Sequence, residues 1–148
     1  MEDSLTFRRL DERDLPAAAE LFRRVFTQEP WQDDWSDADQ LRLYLHDLTG
    51  QSNSLTFGLF AGEALVGLSM GHVRHWYSGT EYCIDELCIR TECQGLGARF
   101  VREIEAACRG MGLKYLFLLT EDDVPAYAFY KKLGFTESEH NVAFSKRL

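Results

Sequence analysis

A chain of 148 residues with 45% hydrophobic and 27% charged residues is long enough to bury a core without disulfides or metals. Its net charge of -8 argues against a phosphate-neutralising nucleic-acid surface, and with no 18-residue apolar run a membrane span is not expected. The four cysteines, Cys83, Cys88, Cys93 and Cys108, form no C-x-x-C pair and have no histidine cluster, so they read as free thiols and no metal is expected.

The charged start, MEDSLTFRRLDERDL, is unlike a secretory signal, which leads to an expected cytoplasmic location. Leu5–Arg9 reads as a first strand. Ala18, Leu21, Phe22, Val25 and Phe26 then give an amphipathic helix, with Asp11 or Asp14 to cap it and Pro16 in its first turn. QEPWQDDWSDADQ follows, carrying five acids and no base. Ser36 with Asp39 suggests a capping box for a second helix, whose apolar face is Leu41, Tyr44, Leu45 and Leu48 and which Gly50 ends.

Three strands joined by tight turns come next: one through Leu55, Phe57 and Leu59, one over Ala64–His75, and Glu81–Ile89. A helix opens at Gly95 and Gly97 and presents Phe100, Val101, Ile104, Ala107 and Cys108. Tyr115–Thr120 follows as a strand parallel to Glu81–Ile89. Asp123 and Pro125 start a last helix that runs to Leu133, and the tail, Phe135–Arg147, allows one or two further strands. No repeat or linker divides residues 1–148, so one α/β domain is expected.

Two glycines at a strand-to-helix junction can bare backbone amides for an anion. The segment lacks the Gly-Lys-Ser/Thr of a P-loop, and Phe100 stands where a dinucleotide fingerprint needs a third glycine. IDELCIRTECQGLGARFVREIE instead resembles the pyrophosphate-binding segment of the GNAT N-acetyltransferase superfamily. DDVPAYAFYKKLGF resembles that superfamily's second hallmark, in the right order and at the right separation. Glu92, where Gln or Arg is usual, and Asp123, where Asn is common, depart from the pattern.

The resemblance implies a mixed, mostly antiparallel sheet of six to seven strands with a central parallel pair and about four helices. It implies acetyl transfer from acetyl-CoA to an amine by direct attack. Main-chain groups of Leu87, Cys88 and Ile89 would pair with the pantetheine arm. Gln94, Gly95, Leu96, Gly97, Ala98 and Arg99, with Asp123 and Tyr130, would complete the cofactor site. Arg90 and Arg102 could add positive charge.

Asp85 falls on the family's usual base and Glu86 on its acidic neighbour, a base or an amine anchor; Glu81 is more remote. Strand alternation sends Asp85 and Glu86 to opposite faces unless a bulge intervenes. Tyr130 takes the position from which the family protonates the departing thiolate. Trp31, Asp33, Asp34 and Trp35 lie where the family builds its acceptor site and suit a small cation such as a polyamine or an aminoglycoside. EPWQDDW is similar to aminoglycoside 6'-N-acetyltransferase-like members. A protein lysine or N-terminal acetyltransferase and a non-catalytic acetyl-CoA sensor remain as alternatives. Members of the family often pair as dimers, and the sequence indicates no surface for it.

Overall fold

The computed structural model describes residues 4–90, 92, 93 and 95–148. Five strands, β1 (Leu5–Arg9), β2 (Ser54–Ala61), β3 (Ala64–Trp76), β4 (Gly79–Ile89) and β5 (Tyr115–Leu118), lie side by side in chain order. The first three junctions are antiparallel and β4–β5 is parallel. The parallel join is the one that needs a crossover, and α3 (Leu96–Gly110) supplies it.

Helices α1 (Leu15–Phe26) and α2 (Ala38–Thr49) cover one face of the sheet. Leu21, Phe22 and Val25 pack there with Leu41, Leu45, Leu68, Met70 and Cys88. The opposite face is closed by α3, whose Phe100 and Ile104 meet Leu55, Phe57, Leu59 and Ile84. A large polar side chain in that layer, Tyr82, is fully buried and satisfied. Its hydroxyl donates to the Leu55 carbonyl at 2.9 Å and lies 2.8 Å from Ser69 Oγ. An unpaired phenol there would cost about 1–3 kcal/mol.

Three expectations need correction. The sheet has five strands among the described residues, and the parallel pair lies at its end instead of its centre. Residues 135–148 form no strand, because Thr136 to His140 is a polar run without an apolar alternation to dock it. Glu137 turns back to α4 (Pro125–Lys132) instead, accepting from Tyr127 Oη at 2.7 Å and pairing with Lys131 at 3.1 Å.

Two caps also differ. Asp37, not Ser36, caps α2, accepting from the amides of Asp39 and Gln40. It sits one residue nearer the helix and its carboxylate is the stronger acceptor. Val124 occupies the cap position of α4, so Asp123 is left exposed without a capping bond. Asp11 caps a single 3-10 turn, Glu12–Asp14, which leads into α1.

Candidate active site

The site begins with an irregularity in β4. Met70 pairs with Glu86 and Gly71 with Ile84, so Asp85 is the extra residue of a β-bulge. Gly71 permits it, since a Cβ there would strike the Cys83 carbonyl. Simple alternation would part Asp85 from Glu86. The bulge instead resets the period, so both carboxylates face the layer under α1 and α2, while Ile84 keeps its place under α3.

Each carboxylate has its own partner. Tyr44 of α2 donates its hydroxyl to Glu86 Oε1 at 2.6 Å. His72 of β3 places Nδ1 3.0 Å from Asp85 Oδ2, and both side chains of that pair are about one-third exposed. Burial, the largest influence, raises the proton affinity of Glu86. The charges of Asp33 and Asp85 add to that rise, and the Tyr44 hydrogen bond opposes it. Burial and the Glu86 carboxylate push the Tyr44 phenol up in turn, and Asp33 and Asp85 act in the same sense. Asp33, Asp85 and Glu86 therefore share one neighbourhood.

The other acceptor-loop residues differ in placement. Asp34 is exposed and accepts from the Ser36 amide at 3.0 Å, bonding that holds its carboxyl below the usual range. Trp35 stacks on Tyr44 with ring centroids 5.3 Å apart and meets Phe22 edge-on. Its indole N–H is buried with no hydrogen-bond partner among the described residues. Trp31 packs on Phe26. The two tryptophans brace the loop and Tyr44, leaving Asp33 as the loop residue whose charge reaches Glu86.

Glu81 is removed from this group. It is buried at the other end of β4 and receives Arg74 Nε at 2.6 Å. Tyr130 of α4 lies near Cys88 and Glu86, which act on its phenol in the same sense as its burial, the largest influence. Burial pushes its phenol up to about 12, and its hydroxyl makes no hydrogen bond among the described residues.

Beyond Ile84 the strands part. β5 pairs with β4 only from Glu81 to Ile84, so Asp85–Ile89 have no strand partner on that side among the described residues. Leu87, Cys88 and Ile89 thus offer a free strand edge to an extended ligand. The loop that follows leads into α3 through Gly95, whose φ of 88° is left-handed. Gly97 has a different reason: a Cβ there would lie 3.1 Å from the ring of Phe129, so bare backbone lets α4 close on the start of α3.

Leu96, Gly97, Ala98 and Arg99 form the first turn of α3, whose amides lack intrahelical acceptors, and Arg99 is exposed there. Gln94 lies outside the described residues. Glu92 does not face solvent alone, since it accepts from Arg24 at 2.7 Å and from Arg90 at 2.6 Å. Its charge is thereby neutralised near the helix start. A free strand edge running toward a helix N-terminus fits an acyl-pantetheine diphosphate.

Residues 15–135 match the acetyltransferase (GNAT) family. The chain belongs to that family. Its members draw the acetyl group from acetyl-CoA, and the fold is that of a GNAT acetyltransferase. No curated protein matches the chain. Among solved structures, this GNAT acetyltransferase is similar to meta-AAC0020, an aminoglycoside acetyltransferase from an uncultured soil metagenomic sample in complex with sisomicin. The identity is 25% over 97% of this chain and 96% of that one, with a TM-score of 0.73. It shares its fold with a possible acetyltransferase from Clostridium difficile 630, at 16% identity, coverage of 97% and 98%, and a TM-score of 0.80. The aminoglycoside acetyltransferase AAC(6')-Iy, solved with a bisubstrate analog, also shares it, at 15% identity, coverage of 98% and 99%, and a TM-score of 0.75.

His72 and Tyr44 are the site residues that sequence reasoning missed. Tyr44 carried a weak signal, being the one residue on the apolar face of α2 with a polar tip. His72 carried none, because its partner is set by the register of β3 on β4.

Proposed function

We propose that this enzyme acetylates a primary amine of a small acceptor bearing several positive charges, aminoglycoside-like or polyamine-like, in a ternary complex with acetyl-CoA. The observation that carries the reading is that the half-buried Glu86 feels the charges of two exposed carboxylates, Asp33 and Asp85. Carboxylates that act on one another in this way repel, and a polycation relieves the repulsion. The likeness to an aminoglycoside acetyltransferase in complex with sisomicin supports the same class.

A primary ammonium with a pKa of about 10.4 cannot attack until it sheds a proton, at a cost of roughly 4–5 kcal/mol at pH 7. Glu86 is the base in this reading, because burial makes it the better proton acceptor and Tyr44 fixes its orientation. Asp85, held by His72, anchors a second ammonium together with Asp33. This reverses the order expected from sequence, which favoured Asp85 as base.

Bound acetyl-CoA supplies an activated acyl carbon. The edge of β4 from Leu87 to Ile89 orients it, and the first-turn amides of α3, with Arg99, hold its diphosphate. Asp123, exposed and without a capping role, is left out of the cofactor set. Tyr130 holds its proton near Glu86 and Cys88. With its phenol at about 12, full proton transfer to a thiolate of ordinary pKa, about 8.5, runs uphill by roughly 5 kcal/mol. Tyr130 therefore stabilises the leaving sulfur by a hydrogen bond. The proposal extends to the whole of residues 1–148 as one catalytic domain, to a cytoplasmic setting and to a pair of chains.

Thiol release from acetyl-CoA with polyamines, aminoglycosides, amino acids and lysine peptides tests the acceptor class. Aminoglycosides or polyamines should give the highest kcat/KM, and Asp33→Asn should raise their KM about tenfold with little change in kcat. Preference for a lysine peptide would overturn the reading. Coenzyme A binding without turnover on any amine would make the chain a sensor.

A further inference from the structure

Asp85 owes its surroundings to the bulge in β4. It is the extra residue between the Met70–Glu86 and Gly71–Ile84 pairs, so no residue of β3 stands opposite it. Its side chain reaches along the sheet instead to His72, one pair further on, where Oδ2 meets Nδ1 at 3.0 Å. Both side chains are about one-third exposed, so the pair is open to water and to a ligand.

The groups around the pair are neutral or already engaged. Cys83, opposite His72 in register, is buried, and burial pushes its thiol up to about 11, so it stays uncharged at neutral pH. Arg74, two residues along β3, is committed to Glu81 at 2.6 Å. Ser54 of β2, on the other flank of His72, and Phe117 of β5, opposite Cys83, carry no charge. The residues that α1 and α2 bury against this layer are apolar, Tyr44 apart, and Tyr44 donates to Glu86. Asp33, whose charge reaches Glu86 and Tyr44, completes the set.

The charge of the pair then turns on the imidazole. In water an imidazole takes up its proton at about pH 6.5 and a carboxyl of this kind at about 4, so between those limits such a pair carries either one negative charge or none.

We propose that His72 is a positioning residue that decides whether Asp85 is available to the acceptor. As neutral imidazole it donates from Nδ1, fixes the carboxylate, and leaves the charge and the second oxygen to an ammonium. As imidazolium it satisfies that charge itself, and the acceptor must displace a proton to bind. The pair therefore selects for acceptors with a second ammonium and grips them more tightly as pH rises through the imidazole range. This role rests on the polycationic acceptor proposed above and adds the group that tunes its binding.

Calorimetry with spermidine, and with sisomicin as a second polycation, tests it in the presence of coenzyme A. Spermidine suits the purpose because alkyl ammonium groups keep their charge well above neutral pH. Wild-type affinity should rise about tenfold from pH 5.5 to 7.5, with a proton released on binding at the lower pH. His72→Asn keeps a donor where Nδ1 stands and takes up no proton, so it should remove that dependence. His72→Ala lacks the donor and should bind about fivefold more weakly at pH 7.5, a loss that His72→Asn restores. A wild-type affinity independent of pH, or a pH step that survives in His72→Asn, would overturn the role of His72 and leave the acceptor class standing. No heat with either polycation at either pH would overturn the acceptor class, and the role of His72 with it.

Discussion

The part of the molecule built on β2, β3 and β4 differs from the part built on β5 and α4. Around β3 both faces are sealed, with Leu55, Leu59, Val66, Leu68, Met70, Tyr82, Phe100 and Ile104 at 2% exposure or less. In α4, by contrast, no residue is buried, and β5 is at best half-covered. The proposed site straddles the two. Its carboxylates stand on the sealed half, where position is fixed by packing, and its phenol stands on the lightly packed arm. On the proposed reading, proton removal falls to the tightly packed half and contact with the donor sulfur to the lightly packed one.

The largest expected effect tests that contrast through stability. Phe100→Ala should cost about 3–5 kcal/mol, a drop in Tm of order 10 °C. Phe129→Ala, on the arm, should cost about 1.5 kcal/mol or less by the same reasoning. Equal losses in thermal melts would erase the distinction between the halves.

Glu86→Gln comes second and separates activity from stability. It should lower kcat about 100-fold or more and remove the acidic limb of the pH profile that reports a raised carboxyl. Stability should move the other way. A carboxyl whose proton affinity is raised on folding helps the folded state only while protonated, below about pH 4, and that help is lost as pH climbs through the raised value. The amide introduced by Glu86→Gln carries no charge to desolvate and can still accept from Tyr44, so melting at pH 7 should be unchanged or higher. A fall in Tm with retained activity would move the base elsewhere, to Asp85 first.

These predictions rest on features that the sequence revealed unequally. The four helices and the strands came through because period 3.6 and period 2 are local signals: Leu21, Phe22 and Val25 repeat at helical spacing, and Leu55, Phe57 and Leu59 alternate. The bulge at Asp85 was not legible, because it exists only in the register between β3 and β4, which the β4 sequence does not record. Hence alternation parted Asp85 from Glu86 unless a bulge intervened, and the partnership of His72 with Asp85 had no signal in the sequence. At Gly97 the sequence offered anion binding as the reason for bare backbone, and the packing of Phe129 against it supplies another.

That reason makes the third test. Gly97→Ala gains helix propensity, about 1 kcal/mol, and pushes the Phe129 ring a few tenths of an ångström. Stability should stay near neutral while kcat/KM for acetyl-CoA falls about tenfold, because Tyr130 is the next residue of the same helix and rate is sensitive to small misplacement. Unchanged kinetics would show that the arm tolerates the shift and that its position does not matter to the donor.

The smallest expected effect lies far from the site and probes the N-terminal edge. Arg8 holds Asp14 at 2.8 Å and depresses its carboxyl to about 2. A depressed carboxyl stabilises the fold above its ordinary pKa of about 4, and the contribution fades as pH falls toward 2. The Arg8 side chain is 45% exposed, so water and salt screen the pair and keep its worth below about 1 kcal/mol. Asp14 also accepts from the Asp11 amide in the turn that leads into α1, a bond that asparagine can retain. Asp14→Asn should therefore lower Tm by only a degree or two at pH 7, with the difference from wild type vanishing near pH 2. A difference that persists at pH 2 would assign the loss to the turn and not to the ion pair.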